Sequence, residues 1–208
     1  AKILLDYNYE IAVFDTSEKA ISKANKLGCT SYPSPAAIAL ETSLILISLP
    51  TPAHVEMTVC KEGTGLLSST RPGSIIVDMS TVDPITTQQI ALKANNKNVG
   101  YIDAPVLGRP ASIGKWTLPI GGAKEDITKA EPVLKILAEK IVHLGPVGSG
   151  NKLKLLNNLM FGAINSITCE VFALCNHLGL DTNLFFNTIS ESNAGTVSNL
   201  FKELGPKI

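Results

Sequence analysis

Lys154, Asn157 and Asn158 follow a glycine-containing turn and lie in an otherwise apolar segment. Residues three and four positions apart share one face of a helix, so these side chains would project toward one point. Partial desolvation by the neighbouring leucines would lower the pKa of the lysine and let it donate or accept a proton. Asparagine offers a donor and an acceptor to a substrate hydroxyl or carbonyl. The spacing predicts a reaction centre, although a surface lysine with its stem along the core gives the same pattern.

The composition limits the partners that we expect. The chain has 208 residues, 45% of them hydrophobic, and lysine plus arginine equals aspartate plus glutamate at 18 each. Without a basic run, we expect no nucleic acid partner. No uninterrupted apolar stretch reaches the eighteen or so residues of a membrane span, and no signal peptide is evident, so we expect no membrane partner and a cytoplasmic location, with mitochondrion or plastid left open. The four cysteines fit no common zinc spacing, so we expect buried thiols and no metal site.

Short β-branched runs alternate with helix-like segments from Glu10 to Gly145, which is typical of a mostly parallel sheet covered by helices. The predicted strands are Ile11–Asp15, Ser43–Leu49, Ser74–Met79, Tyr101–Val106, Thr117–Ile120 and Lys140–Leu144. The predicted helices are Ser17–Leu27, Pro35–Glu41, His54–Cys60, Pro84–Asn95 and Lys124–Ala138. Pro119 lies inside its run, so that strand is expected to be an edge strand or irregular.

The pattern changes after Gly150, where strand signals stop. Lys152–Leu178 is apolar on most sides, which is typical of a helix buried between domains or subunits. A shorter helix is predicted from Asp181 or Thr182 to about Glu191. We therefore predict two domains, residues 1–147 and 148–208, and a homodimer or higher homo-oligomer that covers the long helix.

Four sequence blocks, in order, resemble the β-hydroxyacid dehydrogenases, which include 3-hydroxyisobutyrate dehydrogenase and, more distantly, 6-phosphogluconate dehydrogenase. The blocks are Val13–Ser17, Val77–Thr81, Asp103–Val106 and the Gly-x-Gly-x-x-x-Lys-x-x-Asn-Asn segment Gly148–Asn158. The resemblance implies an α/β fold, namely an incomplete Rossmann-like doubly wound sheet followed by part of an all-α domain. It also implies an oxidoreductase that transfers a hydride between NAD or NADP and a small β-hydroxy acid or the corresponding semialdehyde or keto acid.

The same resemblance implies roles for particular residues. Lys154 would be the general acid/base, and Asn158, supported by Asn157, would hold the substrate oxygen and carboxylate. Ser80 and Thr81 would lie at the carboxyl end of the sheet, where open α/β folds bind ligands, although a capped strand end would look the same. Leu49, Pro50 and Thr51 resemble the loop that passes under the cofactor, and a plain rigid turn would look similar.

Asp15 favours NAD over NADP. An acidic side chain at the end of the second strand of such a fold accepts hydrogen bonds from the adenine ribose hydroxyls and repels a 2′-phosphate. Thr16 and Ser17 add no positive charge, whereas Lys19 lies near enough to weaken the inference.

The sequence departs from the family pattern in three places. At the far end, the family's helical domain normally continues for several helices, so we expect the C-terminal end to be missing. No Gly-x-Gly-x-x-Gly turn precedes Asp15, so we expect a fragment of a longer protein or a truncated relative. The alternative function is then that of a catalytically inactive binding or interaction module.

The substrate loop reads Leu107, Gly108, Arg109 where relatives often carry Ser-Gly-Gly. Leucine cannot donate a hydroxyl hydrogen bond, whereas Arg109 could bind a carboxylate bidentately or be a solvated loop residue. Gly108 would permit close backbone approach.

Overall fold

The computed structural model describes residues 1–192, and the chain divides into two compact units, Ala1–Asn157 and Asn158–Ile208. The strands are β1 (Ala12–Val13), β2 (Thr30–Ser31), β3 (Leu44–Ile47), β4 (Ile75–Asp78), β5 (Gly100–Asp103), β6 (Trp116–Gly121) and β7 (Ala138–Gly145). The helices are α1 (Lys2–Asp6), α2 (Glu18–Lys26), α3 (Pro35–Glu41), α4 (Pro52–Cys60), α5 (Pro84–Asn95), α6 (Lys124–Leu137), α7 (Ser149–His177) and α8 (Thr182–Glu191). The predicted α/β class is confirmed.

Two sheets lie in the first unit. The larger has the order β3-β4-β5-β6-β7, in which β3, β4 and β5 run parallel, and β6 is antiparallel to β5 but parallel to β7. The smaller is the parallel pair β1-β2. Strand β2 was not predicted, because Thr30 and Ser31 form only two exposed, polar positions.

Strands β4 and β5 of the larger sheet are buried on both faces, which explains why these strands are nearly continuously apolar. Alternate residues enter different cores: Ile76 packs against the helices α3, α4 and α5, whereas Ile75 and Val77 pack on the opposite side with α6. In β3, Ile45 and Ile47 pack into the same core as Ile76, whereas Leu44 and Leu46 pack against the core that contains Ile75 and Val77. This alternation is the period-two geometry of a strand, and it makes the sheet doubly covered.

Side-chain caps fix where many helices begin. The capping side chain accepts a hydrogen bond from a backbone N–H in the first turn at Ser17, Ser34, Thr51, Asp83 and Asp181. The predicted start of α4 at His54 is wrong by two residues, because Thr51 is the cap and Pro52 occupies the first helical position, where its missing N–H costs nothing.

Three predicted strand ends are also wrong. The strand predicted to reach Asp15 ends at Val13. The strand predicted to reach Val106 ends at Asp103, since Pro105 has no N–H to continue the ladder. The strand predicted to reach Leu49 ends at Ile47. The predicted irregularity around Pro119 is confirmed, because the pairing of β6 with β7 shifts register near both of its ends.

Helix α7 is longer than predicted. It begins at Ser149, and many of its apolar side chains reach solvent, with Leu156 63% and Leu159 69% exposed. Exposure of these side chains in the single chain leaves burial against another subunit as a prediction. By length and composition alone, α7 could also cross a membrane, a weak indication that the core helices of soluble proteins share.

The cysteines differ from expectation as well. They are free thiols, and Cys29 and Cys175 are buried, but Cys60 is only partly buried and Cys169 is exposed. Cys169 lies on the exposed part of α7, which accounts for the difference.

Candidate active site

The carboxyl ends of β3, β4 and β5 meet at one edge of the larger sheet. Ile47 pairs with Asp78, and Asp78 pairs with Asp103, so the segments that follow these residues leave the sheet side by side. The backbone N–H of Leu49 donates to Ser80 Oγ at 2.9 Å. The structure thus brings together two of the segments that were predicted to bind cofactor.

The remaining residues of these two segments are accessible. Pro50 and Thr51 are exposed, and Thr81 is half-buried. Thr51 Oγ1 accepts from the backbone N–H of His54 and lies 2.6 Å from His54 Nδ1, so this hydroxyl is occupied in starting α4. Its contribution to a cofactor would therefore come from its backbone and methyl group.

Lys154 lies at the same edge. Its ammonium donates to the carbonyl oxygen of Val106 at 2.8 Å, and Val106 follows β5 by three residues. Partial burial lowers the pKa of Lys154 below its ordinary value, because desolvation disfavours the charged form. The predicted desolvation is confirmed. Lys152, two residues earlier on α7, is exposed.

The two asparagines remain predictions. Asn157 is the last residue of the first unit and Asn158 the first residue of the second, and both are exposed. Exposure leaves their amide groups available to a ligand.

The predicted substrate loop is held in place by backbone and by the one tryptophan of the chain. Leu107 forms an antiparallel bridge with Thr117. Trp116 Nε1 donates to the carbonyl oxygen of Arg109 at 2.8 Å, and a Cβ on Gly108 would lie 2.5 Å from Trp116 Cδ1. Only glycine fits against the indole there. The Arg109 side chain is exposed at the start of a short 3-10 turn, Pro110–Ser112.

Asp15 lies apart, after β1 in the smaller sheet. One carboxylate oxygen accepts from the backbone N–H of Ser17 at 2.8 Å, and the side chain is exposed. Together with residues of α2 it lines an open concavity. The other lining residues are Thr16, Glu18, Ile21, Ser22, Asn25 and Lys26. The cation among these lining residues is Lys26, and Lys19 is not one of them.

A buried polar network behind Lys154 was missed by sequence reasoning. Asp103 is wholly buried and accepts from the backbone N–H groups of Gly148 and Asn151. Burial is the main cause that raises its pKa to about 6, the negative charge of Asp78 adds to the rise, and the two backbone donors oppose it. The available signal was that Asp78 and Asp103 each end an apolar strand, where a carboxylate needs partners.

Two family profiles match the chain. One, described as the NAD binding domain of 6-phosphogluconate dehydrogenase, matches residues 1–145. The other, described as NAD-binding of NADP-dependent 3-hydroxyisobutyrate dehydrogenase, matches residues 148–208.

Known proteins resemble the chain over most of its length. It is 32% identical over 92% of its residues to "Probable 3-hydroxyisobutyrate dehydrogenase, mitochondrial" of Dictyostelium discoideum, of which it covers 60%. It is 31% identical over 91% of its residues to 2-(hydroxymethyl)glutarate dehydrogenase of Eubacterium barkeri, of which it covers 64%.

A solved structure agrees with these sequence relatives. The 3-hydroxyisobutyrate dehydrogenase of Mycobacterium tuberculosis with L-serine superposes with a TM-score of 0.84 at 25% identity, over 94% of this chain and 66% of that one. The chain thus spans about 60% of the length of the relatives that it matches first. With both profiles matched in order on a Rossmann-type sheet and a following helical segment, the chain belongs to the β-hydroxyacid dehydrogenase family.

Proposed function

We propose that this chain carries the hydride-transfer site of an oxidoreductase that acts on a small β-hydroxy acid or on the corresponding semialdehyde or keto acid. The observation that supports this most directly is the position of Lys154. Its ammonium lies against Val106 at the sheet edge where Leu49 and Ser80 meet, and partial burial lowers its pKa.

The chemistry of Lys154 follows from its protonation. A bound nicotinamide dinucleotide supplies the hydride acceptor for oxidation and the hydride donor for reduction. In the oxidation, the neutral amine of Lys154 takes the proton of the substrate hydroxyl as the carbonyl forms. In the reduction, the ammonium returns that proton to the carbonyl oxygen. A lowered pKa helps because it raises the fraction of neutral amine near neutral pH.

The adenosine end of the cofactor fits the concavity beside Asp15. The second oxygen of this carboxylate accepts no hydrogen bond from residues 1–192, so it is available to ribose hydroxyls. Asp15 and Glu18 place two negative charges against the single positive charge of Lys26. This balance disfavours a 2′-phosphate, and we propose NAD as the preferred cofactor.

The substrate is proposed to carry a second anionic group. Arg109 is exposed on the loop after Val106, and its backbone is fixed by Trp116, so the guanidinium can reach a carboxylate bidentately. A relative of the chain is named for 2-(hydroxymethyl)glutarate, which has two carboxylates. A dicarboxylic β-hydroxy acid therefore suits this loop better than 3-hydroxyisobutyrate does.

The partner of α7 is proposed to be a second copy of the chain. Apolar side chains of α7 and α8 remain exposed in the single chain, and contiguous exposed apolar surface marks an interaction site. The exposed apolar residues include Leu156, Leu159, Phe161, Ile167, Leu174, Leu184 and Phe186.

Cofactor binding and turnover test the proposal in turn. NADH and NADPH are titrated against the chain by quenching of Trp116 fluorescence, and hydride transfer is then followed at 340 nm with a panel of mono- and dicarboxylic hydroxy acids. We expect Lys154→Met to abolish turnover without weakening cofactor binding, because it keeps the apolar stem and removes the proton carrier.

The matched control is Lys152→Met, which changes an exposed lysine of the same helix and should leave turnover intact. A folded chain that binds neither dinucleotide would contradict the enzyme proposal and favour the binding or interaction module. Equal loss of turnover in both variants would remove Lys154 from its proposed role.

A further inference from the structure

The Asp103 carboxylate joins β5 to the first turn of α7. One oxygen accepts from the backbone N–H of Gly148 at 2.7 Å, and the other accepts from the backbone N–H of Asn151 at 2.8 Å. These are backbone donors at the start of α7, which have no partner within the helix. A carboxylate at this end is also favoured by the helix dipole.

Two glycines make room for this carboxylate. A Cβ on Gly150 would lie 2.5 Å from the carbonyl oxygen of Pro119 and 3.0 Å from Asp103 Oδ2, and a Cβ on Gly121 would overlap Asp103 Oδ1. Any larger residue at either position would push the helix start away from β5. The close approach of α7 to β5 therefore depends on a glycine in β6 and a glycine in α7, both of which contact Asp103.

Lys154 and the start of α7 both bind the segment at the end of β5, Asp103–Val106. Val106 lies three residues after Asp103, and Lys154 lies three residues after Asn151. The bond from Asn151 N–H to Asp103 and the bond from the Lys154 ammonium to the Val106 carbonyl are thus parallel links between one strand exit and one helix turn. Loss of the first link would release the turn that carries the second.

Asn151 extends this arrangement to the proposed cofactor loop. Its side chain is wholly buried, its Oδ1 accepts from the backbone N–H of Val82 at 3.2 Å, and its Nδ2 donates to Thr87 Oγ1 at 3.2 Å. Val82 directly follows Ser80 and Thr81. The turn that carries Lys154 and the loop that carries Ser80 are therefore held in one network.

We propose that Asp103 is a positioning residue for Lys154: its carboxylate fixes the first turn of α7 so that the Lys154 ammonium stays at the Val106 carbonyl, partly desolvated. This proposal rests on the proposed role of Lys154 as the acid/base. It assigns Asp103 no contact with substrate or cofactor.

The protonation state of Asp103 matters because both oxygens face N–H donors. A protonated carboxyl group keeps one acceptor oxygen and turns an O–H toward a donor, which breaks one of the two links. The ionisable groups that interact with Asp103 are Asp78 on β4 and Tyr101, whose hydroxyl donates to Asp78 Oδ2. Among these, Asp78 acts on Asp103 through its charge.

Asp103→Asn tests the proposal because it keeps the shape and replaces one acceptor oxygen by a donor. The readout is an NMR titration of the intact chain carrying [13Cε]lysine, with Lys154 assigned from Lys154→Arg. We expect the pKa of Lys154 to rise toward its ordinary value of 10.5 in Asp103→Asn, as the freed ammonium becomes solvated. A folded Asp103→Asn with an unchanged Lys154 titration would overturn the proposal.

The matched control is Asp78→Asn. Asp78 is equally buried, but its second oxygen accepts from the Tyr101 hydroxyl, which can turn to accept from the new amide. Its effect should be confined to a lower pKa of Asp103, with the Lys154 titration unchanged. A rise of the Lys154 pKa in both variants would mean a general loosening and would overturn the specific assignment.

If Asp103→Asn does not fold, the wild-type chain decides. Acidification through the Asp103 titration should shift the amide resonances of Gly148 and Asn151 and the 13Cε resonance of Lys154 with one common midpoint. A Lys154 resonance that does not follow this midpoint would overturn the proposal. None of these measurements requires cofactor or turnover, so failure of the proposed enzyme function would be seen separately in the NADH titration.

Discussion

The Asp103 carboxylate has a pKa of about 6 instead of the ordinary 3.8, mainly because it is buried. A carboxyl group with a higher pKa in the folded chain than in the unfolded chain binds protons more tightly when folded. Its contribution to stability is fully present below the unfolded value and is lost as the pH rises through about 6. The two values correspond to about 3 kcal/mol of stability.

Asp103→Asn should remove this pH dependence. Urea unfolding at about pH 4 and about pH 7 measures the change. The free energy of unfolding of the wild-type chain should fall between these pH values by about 2 kcal/mol more than that of the variant. Asp78, whose pKa burial also raises, is present in both proteins, and loss of the Asp103 charge lowers the Asp78 pKa in the variant. Parallel pH profiles for the two proteins would contradict the charge state that we assign to Asp103.

Gly108 is the residue on which the substrate loop depends for its contact with Trp116. Gly108→Ala places a methyl group within 2.5 Å of the indole, so the loop that carries Arg109 must move away. We expect a red-shifted Trp116 emission and weaker substrate binding, with cofactor binding preserved. Gly162→Ala, where an added Cβ meets nothing within 4 Å, is the control and should leave the emission unchanged.

At the level of elements, periodicity and caps were sufficient to predict most of the first unit. Ser17, Pro35 and Pro84 mark helix starts that the structure reproduces, because capping and proline geometry are local properties. The antiparallel direction of β6 was not predictable, since it depends on which strand exits lie beside each other. The exposed apolar surface of α7 was expected from its apolar pattern, which predicts an oligomer that covers the helix.

In the candidate site too, features set by local sequence were predictable, and features set by long-range packing were not. Lys154 was predictable because a lysine in an apolar helix is visible in the sequence. Asp103 and Asn151 were not, because their hydrogen bonds join residues 45 to 69 positions apart. Such pairing depends on the order of the strands and the placement of the helices, which cannot be read from local sequence patterns.

Asn151 links α7 to α5 and to the loop after β4, so its loss should affect all three. Asn151→Ala removes the acceptor of the buried Val82 N–H and the amide that donates to the Thr87 hydroxyl, which keeps its own bond to the Asp83 carbonyl. The unpaired Val82 N–H should cost about 2 kcal/mol. Chemical denaturation measures the change. Asn157→Ala, an exposed change on the same helix, should stay within about 0.5 kcal/mol of wild type, and equal losses would contradict the linking role.

For the whole molecule, the net charge and the exposed apolar surface both favour self-association. The formal net charge at pH 7 is zero and the sequence pI is about 7.0, so little electrostatic repulsion opposes association. We expect concentration-dependent assembly through α7. Leu159→Glu should shift the assembly toward monomer in sedimentation velocity, because it puts a charge into the apolar surface.

Leu92→Glu is the matched control, since Leu92 on α5 is 64% exposed and Leu159 is 69% exposed. It should leave the assembly unchanged. A wild-type chain that stays monomeric over a broad concentration range would contradict the proposed partner, and a loss of assembly in both variants would show that α7 is not the specific surface.

The division of the strands into two sheets has a consequence for local opening. The β1-β2 sheet is held by only two residue pairs, and β2 is exposed, whereas β4 is buried at every position. Amide hydrogens in β1 and β2 should therefore exchange with solvent through frequent local unfolding, well before those of the larger sheet. Because Asp15 follows β1, a dinucleotide that engages this carboxylate would slow exchange there, and the recognition of the adenosine end would include the free energy of ordering a small, loosely held sheet.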